Sequence, residues 1–103
     1  MQTTDALRAE IAELVSKYAK IQYAEKIFIP GETPVPVSGK VIGETELQYM
    51  VEASLDGWLT TGRFNEKFEK ELAAFIGIKH LITVNSGSSA NLVAFNTLTS
   101  HKL

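Results

Sequence analysis

The sequence predicts an α/β protein that contains several helices and one buried strand. Residues 81–84 (LITV) form a short apolar run rich in β-branched residues, which suits a strand covered on both faces. The next five residues (NSGSS) are small and polar, and a helical composition begins near Ser88. Ahead of this strand–turn–helix unit, three amphipathic patterns predict three further helices.

The composition is that of a globular chain. Of 103 residues, 45% are hydrophobic and 21% are charged, and the net charge of -2 gives no electrostatic argument for nucleic acid or an anionic membrane surface. The absence of cysteine excludes a disulfide or a thiolate metal site within these residues. No apolar run approaches the roughly 18 residues that span a bilayer. The charged N-terminus lacks the apolar core of a signal peptide, so we expect a cytoplasmic protein.

The first predicted helix runs from about residue 4 to about residue 23. Its apolar residues recur at steps of three and four, and its glutamates disfavour a membrane-surface role, so we expect it to dock on a larger body. Residues 29–40 (IPGETPVPVSGK) hold all three prolines and therefore predict a linker or an extended arm. We place a domain boundary here, with residues 1–40 as an N-terminal helical extension and arm, and residues 41–103 as the beginning of a larger domain.

Two more helices precede the predicted strand. The second runs over about residues 44–56, and Gly57 supplies its left-handed stop. The third covers about residues 64–76, and Gly77 ends it in the same way. Its apolar face predicts a core contact and consists of Phe64, Phe68, Leu72, Phe75 and Ile76.

The turn at residues 85–89, called here the serine turn, is the candidate binding element. A strand, a small-residue turn and a helix together direct free backbone N–H groups and the positive end of the helix at an anion such as phosphate. Gly87 allows a positive φ or a close approach to a ligand, and the serine hydroxyls add donors. An ordinary turn has the same composition, so this pattern alone leaves both readings open. The sequence matches neither a P-loop, a dinucleotide fingerprint nor a nucleophile elbow.

The chain offers the predicted strand no neighbour. A parallel strand needs a partner, yet only four residues follow the last predicted helix. The sequence therefore predicts the opening segment of a longer protein, and we expect the segment alone to be marginally stable or prone to aggregation.

The succession from Gly57 through WLTTG, the third helix and NSGSSANL resembles the sugar aminotransferase/dehydratase family of pyridoxal-phosphate enzymes. The resemblance implies an aspartate-aminotransferase-like fold (fold type I), of which this chain is an N-terminal fragment. Gly87 and Ser88 stand where the family usually carries the Gly-Thr pair that holds the cofactor phosphate. Two departures are Arg63, where a proline is usual, and Asn91, where a leucine is usual.

The resemblance also suggests a substrate-binding loop. It makes Thr60, Thr61 and Gly62 candidates for lining the substrate cleft, although the same residues suit an ordinary helix–helix loop. No catalytic residue is assigned within the chain, because the family's deciding lysine or histidine is expected beyond Leu103.

Within the family, the N-terminal extension, the arm and the string WLTTGRFNEKFEKELA resemble the branch that removes the 3-hydroxyl of CDP-4-keto-6-deoxyglucose during synthesis of 3,6-dideoxysugars for O-antigens. This implies pyridoxamine or pyridoxal 5'-phosphate, an iron–sulfur cluster with ligands outside this segment, a flavin/iron–sulfur reductase partner and a homodimer. One alternative is a pyridoxal-phosphate-dependent nucleotide-sugar aminotransferase. Another is a non-catalytic anion-binding or interaction module, complete at this length.

Overall fold

The computed structural model describes residues 3–103, which contain four helices and no β-strand. The helices are α1 (Thr4–Gln22), α2 (Glu44–Leu55), α3 (Arg63–Ile76) and α4 (Gly87–Leu98). The chain divides into two units between Trp58 and Leu59. The boundary predicted after residue 40 stays a prediction. Across residues 3–103, no helix is both long enough and apolar enough to cross a membrane.

The first unit is built from α1 and α2, which run antiparallel. Early in α1, the Arg8 guanidinium pairs with Glu52 at 2.6 Å and with Asp56 at 3.2 Å, near the end of α2. In the middle, the Gln48 side-chain amide donates to the Ala12 carbonyl at 3.2 Å. Polar side chains therefore fix the register of the two helices.

The late part of α1 meets the start of α2. The Ser16 hydroxyl donates to the Glu44 carboxylate, and Lys20 lies 3.7 Å from the same carboxylate. Ser16 and Ala19 are the residues of α1 that are buried, and Ala19 is only 2% exposed. Within the unit α2 covers the small-residue face of α1, whereas the predicted docking of this helix on a larger body stays a prediction.

The segment between α1 and α2 contains no helix or strand, as its prolines predict. It begins with a closed turn, in which the Ile29 N–H donates to the Thr33 hydroxyl and the Thr33 N–H donates to the Ile29 carbonyl, both at 2.9 Å. Gly31 has φ 84°, a left-handed conformation that glycine adopts without steric cost. Beyond this turn the side chains of Val35 and Val37 are exposed.

In the second unit, α3 ends where the sequence predicts. Gly77 has φ 80°, its N–H donates to the Ala74 carbonyl at 3.2 Å, and the Ile78 N–H donates to the Ala73 carbonyl at 2.9 Å. This is a Schellman motif, which satisfies carbonyls that the helix leaves free. Gly57 likewise has φ 64° just after α2, so both predicted glycine stops are confirmed.

The predicted strand is absent, so an α/β fold is not observed in residues 3–103. Residues 81–84 pair with no other segment, because the described chain supplies no second extended segment with a complementary row of backbone groups. The Thr83 N–H instead donates to the side chain of Glu69 on α3, at 2.8 Å. The local composition is right for a strand, but a ladder requires a partner that composition alone cannot provide.

The apolar face of α3 is covered less than predicted. Phe64 and Leu72 are half-buried, whereas Phe68 is 52% exposed and Phe75 is 89% exposed. The prediction of a core face is therefore wrong for Phe68, Phe75 and Ile76, which are exposed. Without a sheet against it, the amphipathic pattern has only residues of its own unit to pack on, and these do not reach every phenylalanine.

Candidate functional site

The start of α4 is organised by Ser86. This residue is extended, with φ -162°, and its hydroxyl accepts the Ser89 N–H at 3.1 Å. Its carbonyl accepts the Ala90 N–H at 3.0 Å, which is the first bond of the helix. Ser86 is therefore the N-cap, a role for which serine is favoured because its short side chain reaches back to the helix.

Gly87 and Ser88 follow the cap as the first two residues of α4, and both are exposed. Within residues 3–103 their N–H groups have no hydrogen-bond acceptor, because the first turn of a helix has no preceding carbonyls to bond. Gly87 does not have a positive φ, which leaves close approach to a ligand as the remaining one of the two roles that its sequence context predicts. No heavy atom lies within 4 Å of the point where a Cβ would stand, and the backbone is therefore open to close approach.

The donor set at this turn fits a phosphate group. It consists of two free backbone N–H groups, the Ser88 hydroxyl and the positive end of the α4 dipole. The first turn of α4 contains no acidic residue that would repel an anion. Exposed amides with open space above them are the arrangement by which helix starts bind phosphate monoesters such as pyridoxal phosphate.

The second predicted group lies at the start of α3. Gly62 is the N-cap of this helix, with φ -141°, and its carbonyl accepts the Glu66 N–H at 3.0 Å. Thr60 and Thr61 precede it on an exposed loop. Both predicted groups therefore stand at helix starts in the second unit, and neither group lines the two cavities that border Glu66 and Lys70 of α3.

A polar cluster that the sequence analysis missed joins α3 to the segment before the serine turn. One Glu69 carboxylate oxygen accepts the Thr83 N–H at 2.8 Å and lies 2.9 Å from the Thr83 hydroxyl. The Asn65 side chain completes the cluster, 2.9 Å from that hydroxyl and 3.2 Å from Glu69. The hydrogen bond from the Thr83 N–H lowers the pKa of Glu69 below its ordinary value, and the hydrogen bond from the Thr83 hydroxyl adds a smaller effect in the same direction.

This cluster had a signal in the sequence, although a weak one. Asn65 and Glu69 are four residues apart and so lie on one face of α3, beside the apolar stripe. A strand with no neighbour leaves backbone N–H groups unsatisfied, and a nearby carboxylate is a suitable acceptor for them. On the solvated side of the same helix, Glu66 and Lys70 form an exposed ion pair at 3.0 Å.

The first unit contains an apolar groove of about 350 Å³ between α1 and α2. It offers no donors for an anion apart from one tyrosine hydroxyl, and it is lined by Ile11, Leu14, Val15, Tyr18, Leu47 and Val51. Among residues 3–103 there is also no group of three or more metal-ligating side chains.

Comparison with known proteins gives three informative relatives. The chain is 59% identical to the lipopolysaccharide biosynthesis protein RfbH of Salmonella typhimurium, over 98% of this chain and 23% of that protein. It is 45% identical to the dTDP-4-dehydro-2,6-dideoxy-D-glucose 3-dehydratase of Saccharopolyspora spinosa, over 74% of this chain and 16% of that protein. It is 31% identical to the GDP-perosamine synthase of Vibrio cholerae, over 62% of this chain and 18% of that protein.

The chain covers only part of each of these relatives, and a family model matches most of the chain. It spans about a quarter or less of the length of the curated relatives. The sequence model of the DegT/DnrJ/EryC1/StrS aminotransferase family matches residues 40–102, which include α2, α3, the serine turn and α4. Since this match covers more than half of the chain, the protein belongs to the DegT/DnrJ/EryC1/StrS aminotransferase family.

Proposed function

We propose that this chain is the N-terminal part of a dehydratase that uses pyridoxamine or pyridoxal 5'-phosphate to remove the 3-hydroxyl of CDP-4-keto-6-deoxyglucose. The observation that carries the proposal is the pair of open amides at Gly87 and Ser88, at the start of a helix in a chain of this family. Aminotransferases of the family use pyridoxal phosphate, which supplies an electron sink for chemistry at the sugar carbon.

The choice of a dehydratase is supported by the relatives. One relative is named as a 3-dehydratase of a deoxysugar nucleotide, and the relative with 59% identity is named as a lipopolysaccharide biosynthesis protein. The alternative is a nucleotide-sugar aminotransferase, which the family's name and the similarity to a perosamine synthase favour. The proposal extends to an iron–sulfur cluster with ligands outside this segment, a reductase partner and a homodimer, which rest on the family resemblance alone.

The chain's own residues have a limited role in this reaction. The N–H groups of Gly87 and Ser88, with the Ser88 hydroxyl, bind and orient the phosphate of the cofactor, while the helix dipole stabilises its negative charge. Thr60, Thr61 and Gly62 contribute to the substrate cleft. All five residues position ligands, and none holds or moves a proton in the proposal.

The phosphate site is tested by substituting Ser88 in the intact protein. We expect Ser88→Ala to raise the Kd for pyridoxal phosphate about tenfold, because one hydrogen bond to a charged group is lost. Ser88→Glu is expected to raise it about a hundredfold or more, since a second negative charge faces the phosphate. Binding is measured by absorbance titration with pyridoxal phosphate.

Thr45→Glu is the matched control. Thr45 is the second residue of α2, as Ser88 is of α4, and it is equally exposed. The Thr45→Glu substitution adds the same charge at the same helix position, but it should leave the Kd for pyridoxal phosphate unchanged. A Ser88→Glu protein that binds pyridoxal phosphate like the wild type contradicts the proposed site.

The reaction class is tested separately by mass spectrometry of the sugar product. With CDP-4-keto-6-deoxyglucose and pyridoxamine phosphate, a dehydratase removes the elements of water from the sugar, whereas an aminotransferase replaces the keto oxygen by an amino group. Loss of water supports the dehydratase, and gain of nitrogen supports the alternative.

A further inference from the structure

We propose that Glu69 is a positioning residue that fixes the serine turn for phosphate binding. The inference rests on the proposed function, because it assigns to Glu69 a role at that same site. It starts from the finding that a side chain of α3, rather than a neighbouring strand, bonds the backbone leading into α4.

The geometry makes Glu69 an anchor for this backbone. A single carboxylate oxygen lies 2.8 Å from the N–H and 2.9 Å from the hydroxyl of Thr83. Asn65, one turn earlier on α3, lies 2.9 Å from the same hydroxyl. Two side chains of α3 thus make three hydrogen bonds with Thr83, whereas residues 81–84 form no strand ladder.

The anchor is close enough to the turn to control it. Thr83 and the N-cap Ser86 are three positions apart in the chain, which limits the distance between their Cα atoms to about 11 Å even in a fully extended chain. The position of Ser86 in turn sets the start of α4, because its hydroxyl accepts the Ser89 N–H and its carbonyl accepts the Ala90 N–H. A shift of Thr83 therefore moves the two amides that face the phosphate.

Glu69 does not qualify as a catalytic residue. The oxygen that makes these contacts is committed to Thr83 and Asn65, and no contact joins Glu69 to the serine turn itself. The predicted effect passes through the backbone, so it should appear in cofactor affinity and in local backbone protection rather than in proton transfer.

The test uses the intact protein and two readouts. Amide hydrogen exchange reports the Thr83 anchor, and absorbance titration reports the Kd for pyridoxal phosphate. We expect Glu69→Ala to speed exchange at Thr83 and at the serine turn, and to raise the Kd about tenfold, as removal of a charged acceptor implies. Glu69→Gln keeps an acceptor oxygen at the same distance and should restore the Kd to within about threefold of the wild type.

Two further variants serve as controls, one for poor folding of the alanine variant and one for the loss of another carboxylate on α3. Glu69→Met keeps the side-chain length and the helix propensity but removes the acceptor, so it should behave like Glu69→Ala even if the alanine variant folds poorly. Glu66→Ala removes a carboxylate of the same helix whose partner is Lys70, and should leave both readouts unchanged.

The outcomes separate this inference from the proposed function. If Ser88→Ala weakens binding while Glu69→Ala and Glu69→Met leave the Kd within about twofold of the wild type, the positioning role is overturned and the phosphate site stands. If the wild-type protein does not bind pyridoxal phosphate, the proposed function is overturned and this inference falls with it. Faster exchange at Thr83 together with a weaker Kd supports both.

Discussion

The contacts inside the first unit differ in kind from the contacts inside the second unit. In the first unit, α1 packs against α2 along its length, and side chains bond from helix to helix at both ends and in the middle. In the second unit, α3 and α4 form no comparable interface, and α3 instead bonds the backbone of the segment that leads to α4. The first unit is thus a packed helix pair, whereas in the second unit α3 forms hydrogen bonds with the irregular segment that precedes α4.

This difference bears on which unit carries the candidate binding site. A helix start held by a neighbouring loop keeps its N–H groups open, as at Gly87 and Ser88. The unit without a packed helix pair is therefore the one that carries the candidate binding site.

The largest expected effect compares the two buried alanines. Ala19→Leu should destabilise the protein by about 1–3 kcal/mol, because Ala19 is 2% exposed between two helices and the added carbons must force them apart. Ala73→Leu should cost clearly less, since Ala73 borders a cavity of about 230 Å³ that can receive the side chain. Urea unfolding followed by circular dichroism measures both. Equal losses would show that the two units are packed alike.

The next effect concerns the ion pairs of the first unit. Arg8→Met should lower the Tm, because it removes contacts to both Glu52 and Asp56 across the helix pair. The hydrogen bond with Glu52 is also the main reason that the pKa of Arg8 is raised. Lys17→Met is the matched control, since Lys17 pairs within its own helix, with Glu13. A Tm that falls equally in both variants would remove the distinction between bonds within a helix and bonds between helices.

The third effect is a loss of protection in acid, which we expect at the contact between Glu69 and Thr83 in the second unit. The Thr83 N–H lowers the pKa of Glu69 below its ordinary 4.5, so the stabilisation is fully present above pH 4.5 and is lost as the pH falls from there through the lowered value. Hydrogen exchange at the Thr83 amide, corrected for its intrinsic pH dependence, should therefore lose protection only in acid. Glu69→Gln should abolish this acid step while leaving in place the other charged groups at the same cavity, which are Glu66, Lys70, Lys79 and His80.

The smallest effect is expected on the exposed side of α3. Lys70→Met removes the ion pair with Glu66, in which both side chains are mostly exposed, and should change stability by only about 0.2–0.5 kcal/mol. The same urea experiment measures it, and 1 M salt should erase the difference. A loss comparable to that of Ala19→Leu would mean that surface charges, rather than burial, hold this unit together.

Local features of the fold were accessible from the sequence. The four helices begin and end close to the predicted residues, and the stops at Gly57 and Gly77 follow from the conformational freedom of glycine alone. The proline-rich segment is irregular because proline lacks an N–H, which is equally a local property.

Features that depend on a partner were not accessible. Residues 81–84 have the composition of a strand but lack a ladder, and Phe75 has the periodicity of a core residue but is exposed. Both depend on what stands opposite, which a periodicity does not contain. The role of Glu69 was missed for the same reason, because its partner Thr83 is 14 residues away. At the candidate site, the small-residue composition predicted an open helix start, while the capping role of Ser86 required the geometry.

The cap itself limits what this helix start can offer. Because the Ser86 hydroxyl occupies the Ser89 N–H, two main-chain donors are left for an incoming anion rather than three. A guest with three terminal oxygens then obtains its third bond from the Ser88 side chain or from another part of the protein. In the proposed phosphate site we therefore expect Ser88 to supply both a main-chain and a side-chain donor, and Ser88→Thr to keep the hydroxyl while adding a methyl group.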